Sequence, residues 1–267
     1  MSHYCEVETG VRLHYLIDDF TDPWRTPETI LMLHGNAESA EAWRAWVPYL
    51  ARDYRVVRMD LRGFGKSTPM PREFAWSMEI LMRDIECLLA HLGCERAHLI
   101  GAKSGGSMVL QFAAGRPSRV RSVIAVTPPV VAAGRVRESL EQIERDGVPA
   151  WARKSMGGRL GSKITDAELD YWVENIQGKT AQSTLQGYLR WVPGLDIRAE
   201  VLKITCPTLI ITTTGNGLRS VDSVREWQQK LPRSELVVLE GDAWHAAGAY
   251  PDACAREAAR FLRQPGS

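Results

Sequence analysis

Short apolar runs separated by longer helix-like stretches recur along the chain, and this alternation narrows the fold more than any other feature. The runs Thr29–Leu33, Arg55–Met59, His98–Ile100, Val120–Val126, Thr208–Thr213 and Glu235–Leu239 are rich in Val, Ile and Leu with few polar breaks. Strands buried on both faces read this way, so the pattern predicts a mostly parallel sheet in an α/β protein. Residues 4–8 and 12–17 flank Thr9-Gly10 and predict an opening hairpin. Stretches 39–51, 76–92, 105–115, 221–231 and 251–263 carry apolar spacing near 3.6, and Pro251 stands where a helix can begin.

The alternation breaks between about Val131 and Ile204. That stretch lacks β-branched runs, carries helical segments at 137–145 and 166–176, and is interrupted by Gly157-Gly158, Gly161 and Pro193-Gly194. It predicts a helical cap, 131–204, inserted into a core made of 1–130 and 205–267. The plainer alternative is two crossover helices with long loops, which structureless connections of this length disfavour.

The net charge of +1 gives no reason to expect nucleic acid or an anionic membrane as partner. No apolar stretch approaches the roughly 20 residues that span a bilayer. The five cysteines, Cys5, Cys87, Cys94, Cys206 and Cys254, are scattered, with neither a CxxC pair nor zinc-finger spacing. Together with an N-terminus lacking a basic region and apolar run, they lead us to expect reduced thiols, no signal peptide and a cytoplasmic location. A homo-oligomer is neither required nor forbidden.

The segment with most chemical content is Leu99-Ile100-Gly101-Ala102-Lys103-Ser104-Gly105-Gly106, followed by helical Ser107–Ala114. A strand ends, a small-residue turn carries a serine, and a helix begins. This predicts a nucleophile elbow with Ser104 as nucleophile, flanked two residues away by Ala102 and Gly106. A helix N-terminus there supplies backbone N–H groups to a developing oxyanion. His34-Gly35-Asn36 follows an early strand and can offer the Asn36 N–H as a second donor. His245 follows the last expected strand and is the expected general base. His3 and His14 fall in the hairpin, His34 in the early turn, His91 in a helix and His98 in a strand. The segment Gly65-Lys66-Ser67 ends like a phosphate loop, but Asp60 stands where that motif needs glycine. Asp60 and Arg62 are therefore expected to hold a tight turn.

The HGN turn at 34–36, the DLRGFGKS segment at 60–67, the elbow and the GDAWH loop at 241–245 together resemble the α/β-hydrolase superfamily, specifically its capped branch of esterases, enol-lactonases and C–C bond hydrolases. The resemblance covers nearly the whole chain. It implies an eight-stranded sheet with the cap after the sixth strand, oxyanion donors at Asn36 and Gly105, a small-molecule substrate, and no metal or organic cofactor. One departure stands out. Asn216 occupies the position where the family's acid is expected, and the other common site, Thr127-Pro128-Pro129-Val130, has no carboxylate. Asn216 is expected to orient His245, with Asp222 as the alternative acid and Asp242 also nearby. The expected activity is serine hydrolysis of a small ester or lactone. A C–C bond hydrolase, or a lyase or cofactor-independent oxygenase, is the alternative that the missing acid keeps open.

Overall fold

The computed structural model describes residues 2–132 and 136–264. Eight strands form one sheet: β1 (Ser2–Glu8), β2 (Val11–Asp18), β3 (Thr29–Leu33), β4 (Arg55–Met59), β5 (Ala97–Ala102), β6 (Val120–Val126), β7 (Thr208–Thr213) and β8 (Ser234–Leu239). Their order is β1-β2-β4-β3-β5-β6-β7-β8. β2 runs antiparallel to both neighbours, and every pairing from β4 to β8 is parallel.

The expected strands are present because each has two faces to bury. Leu31, Leu33, Val57, Met59, Leu99, Val123 and Ala125 pack into one hydrophobic layer. Their immediate neighbours Ile30, Met32, Val56, Ile100, Ile124 and Val126 pack into the layer on the other side. A period of two thus distributes one apolar run between two cores, which removes the polar–apolar alternation of a half-exposed strand.

The helices of the core are α1 (Val47–Leu50), α2 (Met78–His91) and α3 (Ser104–Gly115) before the long insertion, and α8 (Val221–Gln228), α9 (Ala246–Ala249) and α10 (Pro251–Leu262) after it. The expected helix over 39–51 is instead a 3-10 turn at Ala40–Trp46 followed by the single α-turn α1. Ser77 caps α2 by accepting from the Ile80 N–H, and Pro251 opens α10 at a position where no N–H is needed.

Between β6 and β7 the described residues hold α4 (Val136–Leu160), α5 (Asp166–Asn175), α6 (Gln182–Trp191) and α7 (Arg198–Val201). α4 breaks direction at Gly147, where φ is 80° and Pro149 follows two residues later. Thr165 and Glu168 close a reciprocal capping box on α5. The insertion meets the core through the loops at the C-terminal edge of the sheet: Thr180 donates to Ala37 O, and the Thr184 hydroxyl receives the Met70 N–H.

Below this edge Asp60 collects the Ala40 and Lys66 N–H groups and His14 Nδ1. Arg62 makes a two-point pair with buried Asp84. The Gly65-Lys66-Ser67 turn is held by these contacts, as expected.

Candidate active site

Strand β5 ends at Ala102 and α3 begins at Ser104, so the apex of the turn between them is Lys103. Its backbone sits at φ 54°, ψ −124°, a region that costs a non-glycine residue about 1–3 kcal/mol. Two glycines make that apex sterically feasible. A Cβ on Gly101 would lie 2.3 Å from Gly105 O, and one on Gly105 would lie 2.2 Å from Leu33 O. Strand, helix and neighbouring strand therefore meet at atoms that only glycine can leave free, and these glycines stand two before and two after Lys103. The expected register is corrected by one residue: the elbow presents Lys103, and Ser104 is the first helical residue behind it. Ser104 Oγ is buried beside the Tyr188 hydroxyl without a hydrogen bond of good geometry. Burial pushes the Tyr188 phenol up to about 12. The amide that follows the apex is that of Ser104, one residue before the Gly105 donor expected from sequence.

Both glycines are expected to be indispensable to the fold. Gly101→Ala or Gly105→Ala drives a methyl into backbone and should cost about 3 kcal/mol or more. A thermal melt within about 2 °C of the parent would contradict this packing.

Three non-glycine residues among those described have positive φ: Ala37, Lys103 and Thr127. They lie in the loops after β3, β5 and β6, three adjacent strands. Backbone strain is thus concentrated at one edge of the sheet, as it is at functional sites.

The Lys103 amine is buried. Nζ donates to Trp244 O at 2.9 Å and lies 4.2 Å from the centroid of the Trp244 ring. Burial, the Arg159 guanidinium and that of Arg219 hold the amine well below the usual lysine range, against the pull of Glu38. No carboxylate lies within ion-pair distance of Nζ among the described residues, so the neutral amine is the form this environment favours.

His245 is where the last strand hands over to α9. Its Nε2 lies 2.8 Å from Glu38 Oε1, both side chains are fully buried, and its ring packs edge-on against Trp172. Nδ1 faces the Gly248 N–H at 3.3 Å. Glu38 Oε2 accepts the Gly35 N–H at 2.9 Å, and Arg159 Nη1 lies 3.9 Å from Oε1. Burial works against ionisation of Glu38, yet His245, Arg159 and His34 hold its carboxyl down at about 2.

The acids expected from sequence are elsewhere. Asn216 is committed to its own turn: Oδ1 accepts the Leu218 and Arg219 N–H groups, and Nδ2 faces Thr212 Oγ1. Asp222 is 93% exposed in the first turn of α8, beside Arg225. Asp242 accepts the Ser162 N–H at the surface. The carboxylate on His245 is Glu38, which sequence reasoning missed. Its only signal was an acid four residues after His34, in a loop already singled out.

Asn36 faces the insertion. Its carbonyl accepts from Arg159 Nη1 at 3.3 Å and Gln177 Nε2 at 3.4 Å, and its own Oδ1 is buried without a partner. Arg159 also donates to Ser155 and lies over the rings of Trp151 and Trp244. Burial pulls its guanidinium down to about 10, against Glu38. Of Arg153, Arg159 and Arg190 in the insertion, Arg159 is the one whose described contacts reach the loop after β3. Arg153 pairs with Asp170 at the surface and Arg190 is exposed. Trp151 and Trp172 are buried and Trp191 is half-buried.

The assembled groups are an amine, an imidazole–carboxylate pair and a buried guanidinium around Trp244. Among the described residues no group of three or more His, Cys, Asp and Glu side chains could hold a metal ion, and no helix is long and apolar enough to cross a membrane.

Several known proteins resemble this chain. It is 34% identical over 131 residues to the bifunctional epoxide hydrolase 2 of Sus scrofa, covering 48% of this chain and 22% of that one. It is 36% identical over 130 residues to a 2-hydroxy-6-oxononadienedioate/2-hydroxy-6-oxononatrienedioate hydrolase of Paraburkholderia xenovorans, covering 46% and 43%. The match thus spans less than half the length of either relative. Among solved structures, the enol-lactonase of Burkholderia xenovorans LB400 superposes with a TM-score of 0.85 at 21% identity, covering 98% of this chain and 100% of that one. A bromoperoxidase of Bacillus anthracis gives 0.87 at 17%, covering 99% and 100%. These two likenesses are of fold. A family model described as alpha/beta hydrolase fold matches residues 28–248, and with the eight-stranded sheet and the strained turn at its edge this chain belongs to that family.

Proposed function

We propose that this chain is an enzyme acting on a small carbonyl compound by acid–base chemistry at His245 and Glu38, without an acyl-serine intermediate. We propose further that its reaction is cleavage of a carbon–carbon bond beside the carbonyl. The observation that carries this reading is Lys103 at the elbow apex, the position from which a hydrolase serine attacks. Ser104 faces Tyr188 instead, and no hydrogen bond joins it to His245 among the described residues. An amine at the apex that attacked an ester would be left as an amide, which is far less electrophilic than the ester it came from. Ester turnover through the apex residue would therefore stall, whereas addition to an aldehyde or ketone is reversible.

Glu38 holds His245 in place through the contact of its Oε1 with Nε2, so the pair can take a proton from a substrate hydroxyl and return it to carbon. The insertion 131–204 serves in this reading as the cap that excludes water, with Arg159 and Gln177 reaching in from it. The Paraburkholderia xenovorans relative is named for a substrate bearing a ketone and carboxylates, in keeping with a carbonyl substrate.

A fluorophosphonate probe, which labels activated serines, is expected to leave this protein unlabelled. Ser104→Ala is expected to keep turnover within about threefold, because truncating the side chain preserves the backbone and removes a hydroxyl without a well-formed hydrogen bond. Stoichiometric labelling lost in Ser104→Ala would restore the acyl-serine mechanism and end this reading.

A further inference from the structure

We propose that the Lys103 amine is itself a nucleophile, forming an imine with the ketone or aldehyde carbonyl of a small anionic substrate. This deepens the function proposed above by assigning the covalent step, and it rests on that reading.

Four observations carry it. Lys103 is held at the strained apex rather than on a surface helix, so its side chain projects from the edge where the loops after β3, β5 and β6 meet. Among the described residues its Nζ has one acceptor, the neutral carbonyl of Trp244, and no carboxylate within ion-pair distance. A structural buried lysine would be expected to take Glu38 as partner, but Glu38 is committed to His245, Gly35 and Arg159. The other six lysines, Lys66, Lys154, Lys163, Lys179, Lys203 and Lys230, are all exposed. Neutral amines attack carbonyls and ammonium groups do not, and desolvation beside cations is an established way to activate a lysine.

The Nζ lone pair adds to the carbonyl carbon while the C=O π pair goes to oxygen, which takes a proton. The carbinolamine then loses water to give an iminium. A hydroxyl on the departing carbon gives its proton to the His245–Glu38 pair, its O–H electrons form the C=O of the aldehyde or ketone that leaves, and the electrons of the breaking carbon–carbon bond flow to the iminium nitrogen, giving an enamine whose carbon is later protonated. Water then adds to the regenerated iminium carbon, and elimination of the amine returns Lys103 and releases the ketone. The His245–Glu38 pair carries the protons.

The charge around Lys103 specifies the substrate further. The features that disfavour a lysine ammonium, burial and the Arg159 guanidinium, also disfavour the iminium cation. A substrate that brings one negative charge offsets that cost, and Arg159 can receive a carboxylate with paired donors. Nζ and the Arg159 Cζ lie 4.2 Å and 5.3 Å from the centroid of the same Trp244 ring, so less than about 10 Å apart. A carboxylate within a few bonds of the carbonyl spans that interval.

The test uses the intact protein with sodium cyanoborohydride, which reduces iminium ions to stable amines. 2-Oxobutanoate and 2-butanone serve as probes of matched size, with peptide mapping as readout. The expected result is an adduct on Lys103 with 2-oxobutanoate, at least tenfold above that with 2-butanone, while the six exposed lysines show no such preference. Arg159→Gln should lower the ratio of acid to ketone adduct at Lys103 at least tenfold. Absence of any Lys103 adduct above the level on the exposed lysines would overturn the imine. Equal trapping of the two probes would overturn the anionic substrate. Neither result bears on Ser104, so failure here is separable from failure of the proposed function, which the fluorophosphonate experiment reads. Mapping on the unmodified protein makes the central outcome independent of whether any variant folds.

Discussion

Lys103→Met is expected to lower turnover of the carbonyl substrate by about 10³-fold or more while leaving the protein folded. Methionine matches the unbranched stem, so the packing against Trp244 is largely kept. The lost hydrogen bond to Trp244 O should cost about 1 kcal/mol. Against that loss, the variant no longer carries an amine whose charged form is disfavoured by burial. The native amine lies below its ordinary value, so between those two values the unfolded chain binds more protons than the native one. Stability supplied by this group therefore rises with pH through that interval and is lost as pH falls. The parent should gain stability as pH rises towards the ordinary lysine value of 10.5, and Lys103→Met should flatten that slope. Denaturant titrations at several pH values measure it. A variant with the parental slope and parental turnover would remove Lys103 from the site.

Glu38→Gln is expected to have the largest effect on stability. The carboxylate faces His245, Arg159 and the Gly35 N–H in a fully buried setting. Removing its charge leaves Arg159 buried without a counterion, which costs about 3–5 kcal/mol. At this chain length that corresponds to a fall in Tm of about 10 °C. The pH dependence has the opposite sign to that of Lys103. The native carboxyl sits at about 2 against an ordinary 4.5, so its contribution is fully present above pH 4.5 and is lost as pH falls towards 2. That interval is worth about 3 kcal/mol. Parent and Glu38→Gln should therefore differ most above pH 5 and converge near pH 2. Turnover should fall with the variant as well, by about 10²-fold or more, because His245 loses the group that orients it. Equal stabilities at pH 7 would show that Glu38 does not hold the site together.

The fold was largely legible because burial on both faces of a parallel strand writes itself as an uninterrupted apolar run. Arg55–Met59, Val120–Val126 and Thr208–Thr213 have the limits that pattern suggests. The 39–51 segment was less so: its apolar spacing suits a helix, but Ser39 accepts from Glu41 and the chain winds as a 3-10 turn before Val47. The elbow was legible in position and misread in register. Chemistry favoured the serine, while sterics favoured the residue midway between Gly101 and Gly105, and the backbone follows sterics. The partner of His245 was not legible. Glu38 and His245 are 207 residues apart, and only assembly of the sheet brings the loop after β3 and the loop after β8 to the same edge. Asn216 occupied the family's acid position, but its carboxamide satisfies two N–H groups of its own turn. No local pattern distinguishes that use of an asparagine from orientation of a histidine.

The most direct test of this account is an NMR titration of the lysine side chains in the folded protein, with Lys103→Met to assign the signal. Lys103 is the only lysine of the seven that is buried. One resonance, absent from the variant, is expected to titrate apart from the others and at clearly lower pH, and to shift when 2-oxobutanoate is added. Seven resonances titrating together would mean that the amine at the elbow is an ordinary ammonium, and the proposed imine chemistry would fall with it.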